Sequence, residues 1–276
     1  MTTLNMSQVN QKLELFSRIV QEKKQDGKYR SEDLKVGVDL GTSSIVLSVL
    51  NEKNEPVFGR FEYAHAVKDG LVVNFRESVN IVKRLKQEAE KTLNVPLLKA
   101  AGAVPPGTMG NNKKVVGNVI ESAEMENTAI IDEPVAAASL LQMKNGAVID
   151  IGGGTTGISV FENGKVVFSA DEPTGGTHMT LVLAGFYGIS FEKAEQMKRD
   201  PAKEKDVFPI IRPVVEKMAE ITRCYLETFH PETCVVVGGA SYFQSFLDCF
   251  SNYLKRPVIQ PVYPQFATPI GIAMNA

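Results

Sequence analysis

Residues 148–171 read VIDIGGGTTGISVFENGKVVFSAD, from Val148 to Asp171. An apolar run ends at Asp150, three glycines and two threonines follow, and two more apolar runs flank Asn163-Gly164. An earlier stretch, Val36 to Phe61, reads VGVDLGTSSIVLSVLNEKNEPVFGRF. It keeps the same order: an apolar run closed by Asp39, then Gly41, Thr42 and Ser43, a second apolar run, a polar turn and a third apolar run. Short apolar runs bounded by turn residues predict strands. Asn-Gly between two such runs is a strong hairpin signal. The chain therefore writes one β-hairpin unit twice, and each copy opens an α/β half.

Working outward, strands are predicted at 35–39, 45–50 and 57–63, and a helix at 78–92 with Val79, Val82, Leu85 and Ala89 on one side. A buried strand (KAAGAV), a PPGTMG loop, a helix at 113–123 and a strand at 128–131 complete the first half. EPVAAASLLQ reads as a helix with Pro134 in its first turn. The second half continues with a strand at 147–150 and helices at 177–187, 191–198 and 213–229. A CVVVGG strand and helices at 241–253 and 269–274 finish the chain. Before all this, Val9, Leu13, Phe16 and Val20 share one helical face, with Ser7 as a cap and Gly27 as a stop. Two readings of that first helix stay open: it docks on the body, or it is a detachable peptide whose apolar stripe binds another protein. The expected organisation is a helix and linker over 1–34, a first lobe over 35–134 completed by 267–276, and a second lobe over 135–266.

Composition narrows the function classes. The chain has 276 residues, 43% of them hydrophobic, and a net charge of -2. No basic field marks a nucleic-acid or anionic-lipid binder. No stretch approaches the ~18 uninterrupted apolar residues of a membrane span. The N-terminal sequence lacks the apolar core of a secretory signal. Cys224, Cys234 and Cys249 are too few and too scattered for a zinc knuckle or a disulfide framework. These features fit a protein of a reducing cytoplasm.

The repeated motif points to polyphosphate chemistry. Tight turns offer backbone N–H donors, and glycine lets the backbone approach an anion because it lacks a Cβ. Gly152, Gly153 and Gly154 do this in the second half and Gly41 in the first, with hydroxyls from Thr42, Ser43, Thr155 and Thr156. Asp39 and Asp150 would repel a phosphate unless a divalent cation lay between them. Mg2+ prefers oxygen ligands and keeps several waters, so both carboxylates would hold it through its hydration shell. Neither a G-x-x-x-x-G-K-[ST] loop nor a G-x-G-x-x-G opening a helix occurs, which removes the P-loop and Rossmann alternatives.

These residues resemble the actin-like ATPase superfamily, which includes actin, the DnaK-type chaperones, MreB, FtsA and sugar kinases. VDLGTSS (38–44) and DIGGGTT (150–156) resemble its two phosphate motifs. DEPVAAA (132–138) and PIGIAM (269–274) resemble its two connecting helices, and VVVGGAS (235–241) its adenosine motif. Within that superfamily KVGVDLGTSS, AVKDGLVVNF, AVPPGTMG and IDIGGGTTGISVFENGKVV are similar to the EutJ family of ethanolamine-utilisation proteins, described as chaperone-like and linked to bacterial microcompartments. The resemblance implies two duplicated ribonuclease-H-like α/β lobes, a nucleotide cleft between them and very small outer subdomains. It implies ATP or ADP with Mg2+ as ligands. Asp39 and Asp150 would hold the hydrated ion, and Glu133 would orient the attacking water. Thr42, Ser43 and Thr155 would contact phosphate, with Gly175 and Gly176 approaching it. Gly238 and Gly239 would lie against adenosine, and Glu216 and Lys217 would meet adenine or ribose. Lys68 matches a stretch of MreB. His178 and Thr180 stand where many relatives carry acidic residues. Ala136, Ala137 and Ala138 would cross closely over Gly271 and Ala273.

The functional expectation is an ATP-hydrolysing, chaperone-like switch associated with a microcompartment, acting on ethanolamine ammonia-lyase or a shell protein. The alternatives are a filament-like or adaptor protein that binds nucleotide with little hydrolysis, and a small-molecule kinase, which lacks an evident extra Asp as base.

Overall fold

The computed structural model describes residues 4–22 and 28–276. The helix stop expected at Gly27 lies outside them. Two five-stranded sheets carry the molecule. The first has the order β3-β2-β1-β6-β7, built from β1 (Lys35–Leu40), β2 (Ser44–Leu50), β3 (Pro56–Tyr63), β6 (Lys99–Val104) and β7 (Glu126–Asp132). The second has the order β10-β9-β8-β11-β12, from β8 (Gly146–Ile151), β9 (Thr156–Glu162), β10 (Lys165–Glu172), β11 (Cys234–Val237) and β12 (Val258–Ile259). In each sheet three antiparallel strands form a meander and the remaining strands pair in parallel. The duplication read from the sequence is thus a duplication of sheets. At the β9–β10 turn Asn163 (φ 52) and Gly164 (φ 76) both take positive φ, which the Asn-Gly pair predicts.

Helices flank the sheets: α2 (Phe75–Leu93), α3 (Asn111–Ser122), α4 (Glu133–Leu141), α5 (Gly176–Tyr187), α6 (Phe191–Arg199), α7 (Glu204–Leu226), α8 (Gln244–Leu254) and α9 (Ala267–Met274). Helix α2 begins three residues before the predicted start because the Asn74 side chain accepts the Glu77 N–H at 3.1 Å and caps it. Helix α7 departs further from expectation. Pro213 was the predicted start, yet the helix begins at Glu204 and runs through both Pro209 and Pro213. Val207, Ile211, Val215, Met218, Thr222 and Leu226 are buried along one face. Their burial outweighs the lost hydrogen bonds that make internal proline unfavourable. The two-residue strands β4 (Val67–Lys68) and β5 (Leu71–Val72), and the equally short β12, were not predicted; they are too brief to show periodicity.

Helices α4 and α9 cross at the centre of the molecule. A Cβ on Gly271 would lie 1.8 Å from the Ala136 carbonyl oxygen, so only glycine permits this crossing. Ala137, Ala138, Leu141, Val148, Val237, Ile270 and Ala273 belong to the apolar core that joins the two sheets here. The N-terminal helix α1 (Met6–Glu22) joins the same core through Val9, Leu13 and Phe16. Of its two readings, the structure shows the docked one. Each large apolar side chain buried this way contributes roughly 1.5–3 kcal/mol before the cost of ordering the helix.

Candidate functional site

The β1–β2 and β8–β9 turns meet face to face between the sheets. A Cβ on Gly153 would fall 2.4 Å from Ser43 Oγ, and one on Gly154 would fall 2.8 Å from Thr42 Oγ1. At Gly153 the obstacle is the rotatable Ser43 hydroxyl, whereas at Gly154 the backbone of Asp69, also at 2.8 Å, leaves no room for a side chain. The Gly152 N–H donates to Thr155 O at 2.9 Å, closing the turn. Among the described residues, the N–H groups of Thr42, Ser43, Gly153 and Gly154 donate to no protein acceptor. Backbone donors left free in two facing turns form a cradle for an anion.

Above the turns opens a cleft with a volume of about 760 Å³. Asp39, Gly41, Thr42, Ser43, Glu133, Asp150, Gly152, Gly153, Gly154, Thr155, Gly176, Gly238 and Gly239 all line it. Residues separated by some two hundred positions are thereby gathered around one cleft. Gly238 (φ 94) ends β11 with its Cα against Asp150: an added Cβ would sit 2.4 Å from Asp150 Oδ1.

The acidic groups on the cleft floor have raised pKa values. Burial, then Asp150, pushes Asp39 up to about 7. Burial raises Asp150 to about 6, against the Thr268 hydroxyl, which donates to Asp150 Oδ2 at 2.5 Å. Glu133, at the first position of α4, is raised well above the usual carboxylate range by burial and then by Asp150 and Asp39. Three neighbouring carboxyls deprived of water are poised for a cation and its waters. Among the described residues no three acidic, His or Cys side chains stand close enough to hold a bare ion.

Several predicted residues stand elsewhere. Glu216 and Lys217 do not reach the cleft. They lie on the side of α7 away from its buried face, where Arg212 Nε pairs with Glu216 at 2.8 Å and Lys217 is exposed. Gly175 backs onto the glycine loop rather than lining the cleft; an added Cβ would meet the Gly152 carbonyl oxygen at 2.6 Å. The N–H groups of Gly176 and Thr177 donate to Gly152 O and Gly153 O, at 3.0 and 2.7 Å. The N-terminus of α5 thus holds the phosphate-type loop in place. His178 Nδ1 accepts the Gly175 N–H at 3.3 Å and serves that same loop. Lys68 is exposed and does not line the cleft. Its neighbour Asp69, at the tip of the β4–β5 turn (φ 48), instead lies against Gly154.

The structure adds residues that sequence reasoning missed. Glu195, Lys198 and Arg199 on α6 line the cleft. The buried Lys198 Nζ donates to Gly176 O at 2.9 Å and Thr180 Oγ1 at 2.7 Å, and pairs with Glu195 at 2.7 Å. Burial lowers the Lys198 pKa and Glu195 only partly restores it. Thr180, noted as replacing an acidic residue, is a partner in this network. Arg199 reaches across to the first sheet, its guanidinium 4.3 Å from the Tyr63 ring centroid. Asp171 stands opposite Gly157 in the β9–β10 ladder with Oδ1 unpartnered, and burial raises it to about 7. An E-x-x-K-R spacing on an amphipathic helix was the available signal for the α6 group; Asp69 stood inside the AVKDGLVVNF stretch beside Lys68, and nothing local marked Asp171.

Comparison with known proteins agrees with this architecture. The family model "Cell division protein FtsA" matches residues 147–271 and "MreB/Mbl protein" matches residues 58–187. The chain is 40% identical over 243 residues to the ethanolamine utilization protein EutJ of Escherichia coli K12, covering 87% of this chain and 85% of that one. The crystal structure of EutJ from Carboxydothermus hydrogenoformans superposes with a TM-score of 0.92 at 43% identity, covering 99% of this chain and 100% of that one. MreB5 of Spiroplasma citri bound to ADP shares the fold at a TM-score of 0.70 and 17% identity, covering 88% of this chain and 96% of that one. Paired sheets, facing turns and this degree of identity together make the chain a member of the EutJ family of ethanolamine-utilisation proteins, built on the actin-like ATPase fold.

Proposed function

We propose that this chain binds Mg·ATP in the cleft, hydrolyses it, and works as a chaperone-like switch of ethanolamine utilisation on a microcompartment enzyme or shell partner. One observation carries the reading: two facing turns leave free N–H donors above a floor of buried carboxyls. The donors suit the phosphates, and Asp39 and Asp150 suit the waters of a hydrated Mg2+. When bound, that ion supplies the positive charge that lets carboxylate and phosphate share the site. Glu133 faces the same space and is placed to accept a hydrogen bond from water. The α6 carboxylate Glu195, which lines the cleft and is held by Lys198, offers an acceptor for the hydroxyls of a ribose. MreB5 of Spiroplasma citri, which shares the fold, is bound to ADP, and this supports a nucleotide as the ligand. Because α4 and α9 cross at Gly271 with almost no side chain between them, a change at the cleft reaches both lobes as a pivot.

Titration of ATP, ADP and GTP with Mg2+, alongside Asp150→Asn, tests the proposal. ATP and ADP are expected to bind, and the substitution to lower Mg-dependent phosphate release by on the order of 10²-fold. Equal release by the variant would remove the carboxylate role.

A further inference from the structure

Helix α1 touches both lobes beside the cleft. On the first lobe, Phe16 and Val20 fill a notch over Gly59 of β3, where an added Cβ would meet Phe16 Cζ at 2.5 Å and Val20 Cγ2 at 3.0 Å. The buried Arg60 donates from Nη1 to Ile19 O at 2.9 Å and Val20 O at 3.3 Å, while its Nε pairs with Glu88 at 2.8 Å. A cation on the last carbonyls fixes the C-terminal end of the helix. On the second lobe, Asn10 Oδ1 accepts the Val262 N–H at 3.1 Å and the Phe16 ring meets Phe266 edge-on at 5.1 Å. The segment between those contacts also joins the adenosine-type glycines, because Pro264 O accepts the Gly238 N–H at 3.0 Å. Ser17, Val20 and Gln21 line the cleft together with Phe61, Val262 and Tyr263.

We infer that α1 is a wall of the nucleotide cleft on the Gly238 side, with Ser17, Val20 and Gln21 facing the nucleoside end of the ligand. Nucleotide binding then presses the helix onto both lobes, and the docked helix in turn tightens nucleotide binding, since coupling between two events is reciprocal. The inference rests on the nucleotide reading of the cleft and goes beyond it in assigning part of the site to the N-terminal helix. It also gives the helix a fixed role in the body, where the sequence left it equally readable as a free peptide.

Amide hydrogen exchange of the full chain, with and without Mg·ATP, tests this together with the affinities of Gln21→Ala and Gly59→Val. The Gln21 side chain is exposed in the ligand-free chain, so its truncation leaves the fold intact. Gly59→Val levers Phe16 out of its notch. Exchange along α1 is expected to slow about tenfold on ATP binding, and each variant to bind ATP about fivefold more weakly. If wild type gains thermal stability with ATP while α1 exchanges at an unchanged rate, the inference fails and the nucleotide reading stands. Wild-type affinity in both variants also overturns it. If ATP produces no thermal shift in wild type, the nucleotide reading falls and takes the inference with it.

Discussion

The two glycine turns look alike in sequence but are held differently. The β8–β9 turn is braced on three sides: by the N–H groups of Gly176 and Thr177, by the Thr268 hydroxyl on Asp150, and by Gly238 packed against that aspartate. The β1–β2 turn has a single glycine, Gly41, and among the described residues Asp39 receives no hydrogen bond comparable to that from Thr268. Asp150 accordingly rises only to about 6, whereas Asp39 rises to about 7. A duplicated unit has become one rigid jaw and one softer jaw. Under the proposed function, the more heavily braced jaw would set the position of the phosphates and the less braced one would close on them.

Gly238→Ala attacks the rigid jaw most directly. The new Cβ would press on Asp150 Oδ1 and Ile151 O, both at 2.4 Å, at a residue with φ 94. A loss of roughly 3 kcal/mol or more in thermal or urea unfolding is expected. Gly41→Ala, whose Cβ would meet one carbonyl at 2.8 Å, should cost less, about 1–2 kcal/mol. Equal losses would erase the distinction between the jaws.

Thr268→Val sharpens the comparison by removing the hydroxyl that favours ionised Asp150. We expect a stability loss of about 1–3 kcal/mol near neutral pH. Any acidic limb that Asp150 imposes on phosphate release should move to higher pH. An unchanged pH profile would show that Asp150 does not govern that limb.

The pH dependence of the ligand-free chain follows from the same groups. Asp39, Asp150 and Asp171 titrate near 7, 6 and 7 when folded, against about 3.9 for an unfolded aspartate. Between those values the folded chain binds more protons than the unfolded one. Their contribution is fully present below about pH 4 and is lost as pH rises through 6 and 7. Denaturant titrations from pH 5 to 8 should therefore show falling stability, and Mg·ATP should flatten the slope by compensating the charges. The smallest effect is expected at Arg199: Arg199→Ala removes the contact with Tyr63 and the 2.6 Å pairing with Glu195, and should cost about 0.5–1 kcal/mol, read most sensitively as faster nucleotide release.

The motif-bearing part of the site was legible because each turn is contiguous. Asp39 with Gly41, and Asp150 with Gly152 to Gly154, can be recognised without knowing what lies opposite them. Gly271 and the alanines of α4 were legible for a similar reason, since close helix crossings select small residues. Glu216 and Lys217, taken from the resemblance, do not line the cleft because a loose match along a helix does not say which turn and which side of it meet the cleft. The pair that does line it, Glu195 and Lys198, lies one helix earlier. Asp69 and Asp171 escaped notice because ordinary turn and strand positions bring them to the phosphate-type loops only through folding.

Sequence by itself determined the duplicated sheets, the two turns and the central crossing, because these depend on local periodicity, glycine and side-chain size. Tertiary structure alone decided that α1 lies on both lobes, that α7 runs through its prolines, and that α6 furnishes the polar side of the cleft. Those outcomes depend on which apolar faces find partners and which distant carbonyls and charges become neighbours. Pairwise burial over long chain separations leaves no local trace.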